Sequence, residues 1–197
     1  MDLDVKLFLW MKKMQITLIR HLPTEWNDQV LLQGRKDINL PEKIEDHLEM
    51  IKKNKQLIEK NKPYDLVIAS SLTRTYQTAK LYEYKPIRET LLDELDFGIY
   101  EGLPRQKLID AFADCWIEKP DTIMLGESVM ALERRIKTFL QKYKTYTNIL
   151  LFGHGAWIRA FISYNQNGNI SDMNKIKVHF NHPIIVDIKI DGSEENA

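Results

Sequence analysis

The chain has 197 residues, enough for one domain with a sizeable core. Its 28 Lys plus Arg balance 28 Asp plus Glu, so no long-range positive field favours a nucleic-acid partner, and any bound anion must be caught by local arginines. A single cysteine, Cys115, excludes an intramolecular disulfide and fits a reducing, cytoplasmic setting; beside Trp116 it reads as a small buried hydrophobe. No apolar run is long enough to cross a bilayer, so no membrane role is expected. Residues 1–14 read as an N-terminal extension that lacks the small-residue cleavage site of a signal peptide.

In chain order, residues 15–19 form a first strand of mixed β-branched and apolar residues that ends in Arg20-His21-Leu22-Pro23-Thr24-Glu25-Trp26-Asn27. A polar turn, Gln33-Gly34-Arg35-Lys36-Asp37, comes before a helix predicted over 41–61, with Ile44, Leu48, Ile51 and Ile58 on its apolar stripe. Residues 66–69 are a second buried strand. Ser70-Ser71 ends it and can cap a helix over 72–82, which makes the βα unit of a parallel sheet. An extended piece over 86–92 leads into an acidic, glycine-punctuated loop over 93–102. Leu108, Ile109, Phe112 and Trp116 predict one further helix. Ser128 caps another, with Val129, Leu132, Ile136, Leu140 and Tyr143 facing inward. Residues 149–152 are a strand that stops at Gly153-His154-Gly155 before a helix over 156–164. Alternation over 184–190 predicts a last strand at an edge, and residues 191–197 read as a frayed tail. No repeat or linker interrupts the chain, so one α/β domain is expected over 1–197.

Three strands thus end in polar groups: Arg20-His21, Ser70-Ser71 leading to Arg74, and His154. Strand ends of a parallel sheet lie on one edge, where such sheets bind ligands. Arginine forks suit a phosphoryl group. A neutral histidine nitrogen beside them is a competent nucleophile toward phosphorus, and a carboxylic acid such as Glu94 can protonate the leaving oxygen. Alone, each residue is ordinary; a helical arginine is usually a surface charge.

Together the motifs resemble the histidine phosphatase superfamily, with its phosphoglycerate-mutase-like fold. They are Arg20-His21 with Thr24 and Asn27, Gly34-Arg35-Lys36-Asp37, Ser70-Ser71-Leu72-Thr73-Arg74 with Gln77-Thr78-Ala79, Glu94 with Asp96-Phe97-Gly98 and Glu101-Gly102, Gly126-Glu127-Ser128 with Arg135, and Gly153-His154-Gly155. The resemblance implies a three-layer αβα sandwich around a mostly parallel sheet. It implies a phosphomonoesterase for a small phosphorylated metabolite, on the phosphatase branch rather than among the mutases, which usually carry further insertions. His21 would be phosphorylated transiently, Arg20, Arg74 and His154 would hold the phosphoryl group with Asn27 assisting, and Glu94 would be the acid, then the base. No metal or other cofactor is implied. Thr24 is a weaker candidate contact, Arg135 reads as a structural ion-pair partner, and Trp26 and Trp157 either line the pocket or pack. Residues 103–123 are the candidate lid.

One departure stands out. Leu22-Pro23 replaces the glycine that usually follows the nucleophile, which adds a side chain and removes one N–H donor while leaving the Leu22 N–H. The rival expectation is therefore a catalytically silent phosphoester-binding or scaffold protein with the same fold.

Overall fold

The computed structural model describes residues 12–190; the expected N-terminal extension, apart from its last three residues, and the frayed tail lie outside them. Strands β1 (Lys12–Arg20), β2 (Leu66–Ser70), β3 (Ile87–Glu89), β4 (Asn148–Gly153) and β5 (Pro183–Ile190) form one sheet in the order β3-β2-β4-β1-β5. β1–β4, β4–β2 and β2–β3 pair in parallel, and β5 runs antiparallel along the β1 edge. The long α-helices are α2 (Glu45–Glu59), α3 (Thr73–Leu81), α6 (Val129–Lys142) and α7 (Gly155–Asn167); the shorter α1 (Glu25–Asp28), α4 (Arg105–Phe112) and α5 (Asp114–Glu118) lie in the connections. None of the described helices is long and apolar enough to cross a membrane.

The central strands are apolar on both sides because both sheet faces are covered. On one face Ile16, Leu18, Ile68, Ile149 and Leu151 pack with Leu132, Ile136 and Phe139 of α6 and with Trp157 and Phe161 of α7. On the other, Ile19, Ala69, Leu150 and Phe152 meet Ile51 and Ile58 of α2 and Ala79 of α3. Register brings Arg20 level with Gly153 at the carboxyl edge, and His21 N–H donates to the Gly153 carbonyl at 3.0 Å. The reactive ends of β1 and β4 are therefore neighbours by sheet geometry.

Some local expectations shift. Helix α2 starts at Glu45, where two acidic residues favour the first turn, and its inward stripe is Ile51, Asn54 and Ile58; Leu48 is half exposed. The helix expected through Leu108 and Trp116 is two helices. Ala113 adopts φ +43 between them, which lets Trp116 turn back into the core and leaves Cys115 exposed rather than buried. Ser128 does cap α6, accepting from the Ala131 N–H at 3.1 Å. Neither Ser70 nor Ser71 caps α3. Their hydroxyls donate to Asp93, while Asp37 accepts from Thr73 N–H (2.6 Å) and Thr73 hydroxyl (2.7 Å).

The motif aspartate of the turn at 34–37 thus fastens that turn to the start of α3. Asp37→Ala should cost about 1 kcal/mol of stability, the usual worth of an N-terminal cap, read as a lower urea midpoint at unchanged slope.

Candidate active site

His21 leaves β1 almost fully buried, with Nδ1 2.6 Å from the Leu22 carbonyl oxygen. A carbonyl only accepts, so Nδ1 carries the hydrogen and the neutral ring keeps its lone pair on Nε2. Burial, reinforced by Arg74 and Arg20, holds the His21 pKa well below the ordinary histidine value, against the Leu22 bond that raises it. His154, the residue before α7, is fully buried behind it, with ring centroids 5.3 Å apart at 62°. Its Nε2 is 2.7 Å from Ser70 Oγ. The Ser70 hydroxyl donates to Asp93 at 2.8 Å, so His154 Nε2 is the donor in that pair and Nδ1 is left buried without a partner. Burial again comes first in depressing the His154 pKa, followed by Arg74 and His21.

Two guanidinium groups flank His21. Arg20 donates to the Val178 carbonyl at 2.9 Å and lies 3.5 Å over the Phe180 ring, which also packs edge-on against His21. Burial pushes its pKa down to about 10, with Glu94 opposing, so the group stays charged at neutral pH. Arg74 is fully buried on α3 and donates to the carbonyls of Lys36 and Gly34, each at 2.7 Å. Gly34 holds that turn at φ +53, and a Cβ there would fall 2.0 Å from Glu101 Oε1. Nε of both arginines is buried and unpartnered. Each guanidinium is therefore aimed by backbone carbonyls yet keeps a donor in reserve.

Glu94 arrives on the acidic loop. Its carboxylate accepts from Leu95 N–H (3.0 Å), Ala156 N–H (3.1 Å) and Trp157 N–H (3.0 Å), the last two in the first turn of α7. A helix N-terminus supplies unpaired donors and a favourable dipole for such a group. Arg135 holds the loop in place, donating to the carbonyls of Leu91 and Asp93 at 2.9 Å each and forking onto Glu127 at 2.6 and 3.2 Å. It has the structural position expected of it.

A cavity of about 220 Å³ collects Arg20, His21, Asn27, Arg74 and Glu94 in its lining. His154 and Thr24 are not in that lining. His154 backs His21, and Thr24 is buried, with its N–H and hydroxyl donating to Asn27 Oδ1 at 3.0 and 3.2 Å, which leaves the Asn27 amide nitrogen as its donor. Trp157 packs in the core, donating to the Leu91 carbonyl at 2.8 Å, and Trp26 packs near Gly102; neither lines the cavity. The Leu22 side chain points into the core and its N–H donates to Thr78 Oγ1 at 3.1 Å, so the donor expected to remain free there is engaged.

From the candidate lid, Arg105, Leu108 and Trp116 line the cavity; Phe180 and Arg159 complete its walls. Sequence reasoning passed over Arg105, Arg159 and Phe180. For Arg159 a signal existed: it lies one helical turn after Gly155 on the same face of α7.

The mostly parallel five-stranded sheet, helices on both faces and paired histidines at the strand ends make this the phosphoglycerate-mutase-like α/β fold. Residues 16–195 match the sequence profile of the histidine phosphatase superfamily, branch 1, and the chain belongs to that family. It is 25% identical over 196 residues to a provisionally named phosphoserine phosphatase 2 of Hydrogenobacter thermophilus, covering 91% of each chain. It is 24% identical to a 2,3-bisphosphoglycerate-dependent phosphoglycerate mutase of Mesorhizobium japonicum, over 90% of this chain and 94% of that one. Among solved structures, the product of an open reading frame of Mycobacterium tuberculosis superposes with a TM-score of 0.74 at 25% identity, covering 87% of this chain and 90% of that one.

Both histidines are held neutral in the fold, so the unfolded chain binds protons that the folded chain does not. Their contribution is complete above about pH 6.5, the ordinary histidine value, and is lost as pH falls from there toward their depressed folded values. The urea midpoint should therefore drop below pH 6.5, and His21→Gln should make that drop shallower.

Proposed function

We propose that the protein is a phosphomonoesterase that hydrolyses a small phosphorylated metabolite through a phosphohistidine at His21. The observation that carries this reading is the Leu22 carbonyl on His21 Nδ1, which leaves the lone pair of the neutral ring on Nε2 in a residue that lines the cavity with Arg20 and Arg74. Nε2 attacks phosphorus as the ester P–O bond breaks, and the protonated Glu94 carboxyl gives its proton to the departing oxygen. Arg20 and Arg74 stabilise the charge on the equatorial oxygens, with the Asn27 amide as a further donor. His154 stands behind His21 with its Nε2–H committed to Ser70; its neutral Nδ1 offers a lone pair, so it would donate to the phosphoryl group only after taking up a proton. Water then attacks phosphorus as the P–N bond breaks and its electron pair returns to Nε2; Glu94 takes the water's proton, and inorganic phosphate leaves with His21 restored.

A second reading has one specific observation behind it. The Leu22 N–H bonds Thr78 and Pro23 has none, so the chain after His21 offers the anion little backbone help. A silent phosphoester-binding protein would fit that local feature.

Activity on two esters separates the readings. The protein should release phosphate from p-nitrophenyl phosphate and from an alkyl phosphate, and His21→Ala should reduce both to background. In Glu94→Gln the first transfer to His21, followed in a single turnover, should slow about 10²–10⁴-fold for the alkyl ester, the usual worth of general acid catalysis, and far less for the aryl ester, because nitrophenolate leaves without a proton; steady-state release, which also needs Glu94 as the base, should fall for both. No release by the unaltered protein, or equal release by His21→Ala, would contradict the proposal.

A further inference from the structure

A second cavity, of about 340 Å³, opens at the amino edge of the sheet, where α6 and α7 end over β5. Ile188 in its wall pairs with Met14, six positions before Arg20, so about 20 Å of strand separates the two cavities. The proposed chemistry uses none of it.

Its floor is apolar. Leu140, Phe161, Tyr164 and Ile188 line it; Phe161 and Ile188 belong to the core, whereas Leu140 and Tyr164 are only partly buried. Two lysines stand at the rim. Lys137 pairs with Glu133 at 2.7 Å and lies 5.5 Å from the centre of the Tyr164 ring. Lys144 has no ion pair or hydrogen bond among the described residues. A Cβ added at Gly168, on the far side, would meet no atom within 4 Å, so the groove is open there. Apolar surface framed by charge in this way marks a place where something docks.

The register of β1 shows what lies beside it. Lys12 pairs with Ile190 and Lys13 with Lys189, so the chain before Lys12 joins the sheet within two residues of the groove wall. On β1 the even positions Met14, Ile16 and Leu18 pack with α6 and α7, and alternation assigns positions 10 and 8 to that same face. Those positions are Trp10 and Phe8, in a stretch that also carries Leu3, Val5, Leu7 and Leu9. Its two acids, Asp2 and Asp4, are the charge that Lys144 lacks. The residues after Ile190 start equally close, but Ala197 is the only apolar side chain among them, too little to cover an apolar floor.

We infer that residues 1–11 of this same chain fold back over the groove between α6, α7 and β5, seating Phe8 and Trp10 on its floor and bringing Asp2 and Asp4 to its lysine rim. Burial of two aromatic side chains supplies the driving force, and the charges set the direction. The contact is separate from the phosphatase reading, because the groove lies at the opposite edge of the sheet from His21.

The test uses the full chain with 5-fluorotryptophan in place of its four tryptophans, Trp10→Phe identifying the fluorine signal of residue 10. That signal should barely shift between water and heavy water, as for a buried ring, and should not change on dilution. Leu140→Glu puts a carboxylate on the floor and should move it to a solvent-exposed position, while the Trp26 and Trp116 signals stay in place and report an intact fold. Lys144→Glu, at the rim and away from the core, should move it the same way. A Trp10 ring exposed in the unaltered protein would overturn the inference, as would one that is protected but indifferent to both groove variants. Protection lost on dilution would also overturn it, since the segment would then lie on a second copy.

Discussion

The site depends on one contact, the short hydrogen bond from His21 Nδ1 to the carbonyl of Leu22. It fixes the tautomer and, with burial and two neighbouring guanidinium groups, keeps the ring neutral with its lone pair on the far nitrogen. A protonated His21 would have to be buried among cations, which burial and Coulomb repulsion both oppose. The neutral state of His21 is thus a property of its environment, built from the end of β1 and the turn after it.

The rest of the fold holds charges where they would not stay by themselves. Arg74 is anchored by the Gly34 and Lys36 carbonyls, and the same turn is tied to α3 through Asp37. Arg135, Arg35 and Glu127 clamp the acidic loop, so that Glu94 meets the N-terminus of α7. On the far side Asn181, at φ +54, donates to the Arg20 carbonyl and engages Tyr82 and Asn54. That places Phe180 against both Arg20 and His21. Loops from four parts of the chain are each pinned by buried polar bonds, as a preorganised site requires.

Much of this was legible in the sequence. Buried parallel strands announce themselves as β-branched runs that end in polar residues, and β1, β2 and β4 were found within a few residues of their ends. Because sheet register fixes where strand ends lie, the convergence of Arg20, His21 and Arg74 with Glu94 on one cavity was foreseeable. What stayed hidden was decided by tertiary context. Nothing about Ala113 advertises a positive φ, so the break between α4 and α5, and with it the exposure of Cys115, could not be read. Thr24, by its place in the motif a weaker candidate contact, donates its hydroxyl to Asn27 Oδ1 and does not line the cavity. Arg105 and Phe180 belong to the lid and the approach to β5, segments with no local pattern that marks them as lining one space, whereas Arg159 could have been found from its place one turn after Gly155.

The position of the phosphoryl group on the enzyme tests the central claim most directly. Glu94→Gln, mixed rapidly with 2,4-dinitrophenyl phosphate and quenched in base, should accumulate the intermediate, because the good leaving group needs no acid while hydrolysis lacks its base. Peptide mapping with phosphorus and nitrogen NMR should then find the phosphate on Nε2 of His21. A phosphate on Nδ1, on any other residue, or on none would contradict the account.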